Sequence, residues 1–72
     1  MDMTISEKIR LILARRNKTV TALAKEMNVS RQYMTRKLKE NNFTVFELKK
    51  IALWLDYDFE AVFISKDGKE RI

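Results

Sequence analysis

Four times in its first 44 residues the chain sets a serine or threonine just ahead of a segment whose apolar residues recur at helical spacing: Thr4, Thr19, Ser30 and Thr44. A hydroxyl at that position accepts a hydrogen bond from a first-turn N–H that has no partner inside the helix, so each marks a helix start. At Thr4 and Thr44 the signal is doubled, because Glu7 and Glu47 stand three residues on and complete capping boxes. Four starts at such short intervals leave room only for short helices joined by tight breaks. The polar breaks are Arg16-Asn17-Lys18, Asn28, Asn41-Asn42, Asp56-Tyr57-Asp58 and Lys66-Asp67-Gly68.

The apolar spacing supplies the faces. The first helix is expected from about Ile5 to Arg16, with Ile5, Ile9, Ile12, Leu13 and Arg16 on one broad face and Arg15 and Arg16 at its negative end. The second runs from about Val20 to Met27, with Val20, Leu23, Ala24 and Met27 at i, i+3, i+4 and i+7. Asn28 follows as a residue that tolerates a left-handed backbone. The third, from the Ser30 cap to about Lys39, has a thin apolar stripe of Met34 and Leu38 and a broad face of Arg31, Gln32, Thr35, Arg36 and Lys39. The fourth follows Thr44, with Phe43 and Leu48 placed as a hydrophobic staple and Leu48, Ile51, Ala52 and Leu55 facing inward. Phe46, Leu53 and Trp54 fall outside that stripe, more apolar surface than one buried face can absorb. Phe59 to Val62 is expected as a short fifth helix, and residues 61–72 as a short β-hairpin turning at Asp67-Gly68 through a type I′ turn.

Composition narrows the chemistry. The 72 residues make one small domain, which buries only about 60% of its unfolded surface. There is no Cys or His. Disulfides, the usual Cys/His zinc sites and nucleophile–histidine pairs are therefore excluded. No cofactor and no enzymatic activity are expected; Asp56, Asp58 and Glu60 read as turn and cap residues, and Met3, Met27 and Met34 as core fillers rather than a metal site. No apolar run approaches 18 residues and no signal-peptide core opens the chain, so a soluble cytoplasmic protein without a membrane role is expected. Net charge is +5. All of that excess lies in residues 1–36, with 8 basic and 3 acidic side chains, whereas residues 37–72 carry 7 of each. A basic excess confined to one part of a domain attracts polyanions.

The second and third helices, with the short break between them, make a helix-turn-helix: one helix braces through small and aliphatic residues while the next presents polar side chains outward. The run Leu23-Ala24-Lys25-Glu26-Met27-Asn28-Val29-Ser30-Arg31-Gln32-Tyr33-Met34 resembles the Cro/C1-type (XRE) family of phage and bacterial repressors. Leu48-x-x-Ile51-Ala52-x-x-Leu55 is similar to that family's fourth helix, and Phe59 and Val62 to its short fifth. The resemblance spans about residues 5–63 and implies an all-α, five-helix, lambda-repressor-like domain; the C-terminal hairpin lies outside the family's common core. The chain departs from the family's pattern at four positions. Asn28 stands at the turn where the family usually has Gly. Val20 stands where the family often has a DNA-anchoring Gln, and Leu13 and Leu38 stand where it commonly has a buried Arg–Glu pair. Exchanging a buried ion pair for an apolar one removes two desolvation costs, so Leu13 and Leu38 are expected to meet in the core.

The resemblance implies a sequence-specific transcriptional regulator, repressor-like, that binds double-stranded DNA with its third helix in the major groove. Arg31, Gln32, Thr35 and Arg36 occupy the base-contacting positions: Arg pairs with guanine, Gln with adenine, and Thr contacts bases or the thymine methyl. Thr19, Thr21, Ser30, Tyr33, Lys39, Asn41 and Asn42 are candidates for the phosphate backbone. Phe46, Leu53, Trp54, Phe63 and Ile64 are the expected homodimer interface. No small-molecule ligand is indicated. The competing reading, favoured by the same surplus of apolar surface, is a protein-interaction module such as an antitoxin, antirepressor or phage accessory factor.

Overall fold

A computed structural model describes residues 2–72. Four helices form, α1 (Ile5–Arg15), α2 (Val20–Glu26), α3 (Arg31–Glu40) and α4 (Val45–Trp54). Each starts at its expected cap: Thr4, Thr19, Ser30 and Thr44 all take an extended backbone and accept a first-turn N–H on the hydroxyl. Both capping boxes close, with Glu7 and Glu47 reaching back to the cap N–H at 2.7 and 2.8 Å.

The helix ends share one device. After every helix stands a residue at positive φ that carries a side chain: Asn17 at 56°, Asn28 at 60°, Asn41 at 56° and Asp56 at 63°. Each reversal closes the same two bonds. After α1 the Lys18 N–H reaches Leu13 O at 2.9 Å and the Asn17 N–H reaches Ala14 O at 3.2 Å. The pairs Val29–Ala24 and Asn28–Lys25, Asn42–Lys37 and Asn41–Leu38, and Tyr57–Ala52 and Asp56–Leu53 repeat the pattern. This is the Schellman arrangement, which uses up carbonyls the helix would leave bare. Glycine normally supplies it, but here the short polar side chains of Asn and Asp do so.

The apolar stripes converge on one core of Ile9, Leu13, Leu23, Ala24, Met34, Leu38, Leu48, Ile51 and Leu55. Leu13 and Leu38 are both in it. Ala52, expected in the core, is only half-buried, and Phe43 packs on the core's edge as its staple role requires. The buried polar residue is Ser6, whose N–H and hydroxyl both donate to Asn41 Oδ1 at 2.9 Å. That ties the start of α1 to the end of α3. At the other end of α1, Arg16 donates from Nε to Leu55 O at 3.0 Å, and its guanidinium lies 4.8 Å from the centre of the Tyr57 ring. Arg16 therefore lies just outside α1 and serves the end of α4 rather than its own helix.

In the C-terminal region one expectation fails and another is met only in part. No fifth helix forms at Phe59–Val62; residues 57–63 have no regular structure. Phe59 packs against the core, but Val62 and Phe63 have nothing to bury against. A four-residue segment with one anchored side chain cannot offset the cost of nucleating a helix. The described residues hold four helices and no strand, so only the centre of the expected hairpin is present: residues 63–72 fold back through one antiparallel bridge, Ile64 with Arg71, flanked by bonds between Phe63 and Ile72 and by the Ser65 N–H donating to Glu70 O. The turn is not type I′, because Gly68 takes a positive φ, 77°, and Asp67 does not. Asp67 instead accepts from the Ser65 hydroxyl and the Lys69 N–H. Those bonds spend its carboxylate on local closure.

α3 and α4 are joined by Lys37, whose Nζ lies 2.9 and 2.8 Å from the two Glu47 carboxylate oxygens. This bond, and then the Thr44 N–H, hold the Glu47 carboxyl below its ordinary value. A folded-state value below the unfolded one means that ionised Glu47 stabilises the fold above about pH 4.5, and that this contribution is lost as pH falls through the lowered value. Glu47→Gln should thus melt at lower temperature than wild type at pH 7, with the two curves converging as pH falls below 4.5 through the lowered value. A difference that stays constant across that range contradicts the assignment.

Candidate nucleic-acid interface

α2 and α3 pack directly against each other across the short turn that joins them. Ala24, buried on α2, permits the approach because it has no side chain beyond Cβ. The turn between them is set by Asn28 in its left-handed conformation and by Ser30, whose hydroxyl accepts the Tyr33 N–H at 3.0 Å. One face of α3 is then pinned by Met34 and Leu38, both buried. The opposite face must point outward, and Arg31, Gln32, Thr35 and Arg36 are all exposed on it. They sit at i, i+1, i+4 and i+5, so Arg31–Thr35 and Gln32–Arg36 are neighbours one turn apart.

The four basic residues of α3 divide by role. Lys37 turns inward to Glu47, with its Nζ 5.2 Å from the centre of the Phe43 ring. That is the one ion pair among the described residues. Arg31, Arg36 and Lys39 are exposed and keep their charge uncompensated by any such pair. The Arg36 guanidinium lies 5.4 Å from the Tyr33 ring centre, one turn back on the same helix. Tyr33 thus packs beneath an arginine on the exposed face and lends it a weak cation–π contact.

The backbone candidates fall into two groups at opposite ends of α3, which is about 15 Å long. Thr21, Ser30 and Arg31 line one shallow concavity at the α2–α3 turn, together with Lys25 and Asn28. Thr19 caps α2, its hydroxyl accepting from the Ala22 N–H at 3.0 Å. Lys39, Asn41 and Asn42 are exposed at the far end. The Asn41 side-chain carbonyl is already taken by Ser6, which leaves its amide N–H groups for other partners. Lys25 was not among the residues singled out from the sequence. Its spacing from Thr21 is i+4, which places both on one face of α2, and that was the available signal.

The proposed association residues are less uniform. Phe46, Leu53, Phe63 and Ile64 are exposed, whereas Trp54 is half-buried against the core with the Lys18 Nζ 4.6 Å from its ring centre. Val20 is half-buried and also packs on the core. Among the described residues no helix is long and apolar enough to cross a membrane.

The model of one family, the Cro/C1-type HTH DNA-binding domain, matches residues 8–65. No curated protein and no solved structure matches the chain. The match covers all of α2, the turn, α3 and α4.

The turn can be tested on its own. Asn28→Gly should leave stability within about 1 kcal/mol of wild type, since glycine adopts positive φ freely. Asn28→Val should lower it by about 1–2 kcal/mol or more, because a β-branched side chain clashes there. Equal melting temperatures for the two variants would show that the left-handed turn is not a constraint.

Proposed function

The chain belongs to the Cro/C1-type helix-turn-helix DNA-binding domain family, and from that premise we propose that it is a sequence-specific, repressor-like transcriptional regulator that sets α3 in the major groove of double-stranded DNA and binds as a homodimer. The observation that carries the reading is the outward face of α3. Arg31, Gln32, Thr35 and Arg36 are exposed together, opposite the buried Met34 and Leu38, with the two arginines free of acidic partners among the described residues. The major groove is about 12 Å wide and admits one helix presenting such a row. Arg31 and Arg36 are suited to guanine, Gln32 to adenine, and Thr35 to a base edge or a thymine methyl. Thr21, Lys25 and Ser30 at one end, and Lys39, Asn41 and Asn42 at the other, would hold the phosphates on either side. Two copies related by a two-fold axis would address half-sites about one DNA turn apart. The protein would act in the cytoplasm without cofactor, metal or catalysis, regulated by its own concentration or by a protein partner.

A second reading is supported by a separate observation. Phe46, Leu53 and Phe63 are exposed on a domain this small. That favours a protein-interaction module, such as an antitoxin, antirepressor or phage accessory factor. The two readings differ in what α3 substitutions do.

Arg31→Ala and Arg36→Ala should each cost about 1–3 kcal/mol on the preferred duplex and relax preference at one base pair. Lys39→Ala should weaken all duplexes alike and reduce the salt slope by about 1. Titrations of specific and random duplexes over a range of salt separate the two behaviours. Equal losses on both duplexes for the arginine variants would reduce those residues to electrostatic contacts. No loss on either would transfer the lead to the protein-interaction reading.

A further inference from the structure

The surface of α4 away from the core carries a repeating mixture. Phe46 and Leu53 are 72% and 81% exposed, seven residues apart, and Lys49 and Lys50 lie between them on the same side of the helix. The Lys50 Nζ is 5.8 Å from the Phe46 ring centre, so apolar and basic groups are interleaved rather than segregated. The stretch that follows α4 has the opposite make-up. Asp56, Asp58 and Glu60 precede Val62, Phe63 and Ile64 with no basic residue among them, and Phe63 is 84% exposed. This stretch has no regular structure, and its pairing to residues 71 and 72 engages only its last residues.

The two surfaces are complementary, yet a single chain does not satisfy them. Within one chain they meet only at the end of α4, where Lys49, Leu53, Asp58 and Glu60 among others line a groove, and none of Lys49, Lys50, Asp56, Asp58 and Glu60 forms an ion pair among the described residues. To cover Phe46 the stretch would have to double back along about 15 Å of helix. Instead it runs on to pair with its own C-terminus. The longest dimension of the molecule is 41 Å against 24 Å for the other two. The radius of gyration is 13.5 Å. A compact chain of this length would have about 11 Å.

We propose that two copies pair reciprocally, the Phe46–Lys49–Lys50–Leu53 face of each receiving the acidic, apolar stretch 58–64 of the other. This rests on the homodimer reading above and gives it a specific surface. The spacing suits it: Phe46 and Leu53 are about 10 Å apart along the helix, the span of three extended residues such as Glu60 to Phe63. A two-fold axis lets each copy give and receive the same contact, so both charged pairs and both apolar sets are used twice. A standard interface takes about 800 Å² from each partner. That is roughly an eighth of the 6010 Å² this chain exposes.

Sedimentation equilibrium of the full chain without DNA tests the pairing. Wild type should form a dimer. K49E/K50E and D58K/E60K should each dissociate at least about tenfold more readily, since each sets like charges against like. An equimolar mixture of the two variants should recover a dimer within about threefold of wild-type affinity, because every contact in the mixed pair is again between opposite charges. Recovery on mixing also shows that both variants are folded. Wild type remaining monomeric at hundreds of micromolar overturns the pairing and the homodimer reading together. A wild-type dimer indifferent to both charge reversals, or a mixture that does not recover, overturns this pairing alone.

Discussion

Each helix of this domain is stopped by a residue that keeps its side chain while taking a left-handed backbone, and the arrangement of the rest depends on those four reversals. An ordinary L-residue pays roughly 1–2 kcal/mol for that conformation. Asn17, Asn28, Asn41 and Asp56 bear it more cheaply, and each lets two backbone N–H groups return to carbonyls of the finished helix. The helices are consequently only 7 to 11 residues long. Helices of that length are marginal alone, so they persist by sharing one core. The reversals aim the four apolar stripes at that core. For α3 the same act aims Arg31, Gln32, Thr35 and Arg36 at solvent.

Polar contacts then lock the frame at its perimeter. Ser6 and Asn41 join α1 to α3, Arg16 joins α1 to the end of α4, and Lys37 with Glu47 joins α3 to α4. None of these uses a residue from the outward row of α3. The division matters for Lys37 above all. It belongs to the most basic helix of the chain, yet its charge is spent on Glu47, leaving Arg31, Arg36 and Lys39 to face outward.

What could be read from the sequence was what depends on near neighbours. The caps at Thr4, Thr19, Ser30 and Thr44 need only a partner three residues away, and all four form. The stripes of α1 to α4 are periodic enough that all nine core residues fall on them. Polar contacts between distant residues were not legible. Nothing near Asn41 announces Ser6, 35 positions earlier, and Arg16 looked like an ordinary end-of-helix cation until Leu55 came within reach. The fifth helix failed because Phe59 alone finds the core. The Asp67-Gly68 turn took another form because Asp67 bonds locally to Ser65 and Lys69. The outward row of α3 was legible because Met34 and Leu38 already marked the buried side; the inward commitment of Lys37 was not, since it depends on Glu47 one helix away.

The central claim is that the outward face of α3 reads base edges in duplex DNA. Selection from a library of random duplexes at physiological salt measures this most directly. Repeated rounds with the wild-type chain should converge on one motif with guanine in each of two symmetric half-sites, spaced about one helical turn apart. A folded protein that enriches no sequence over the starting library would contradict it.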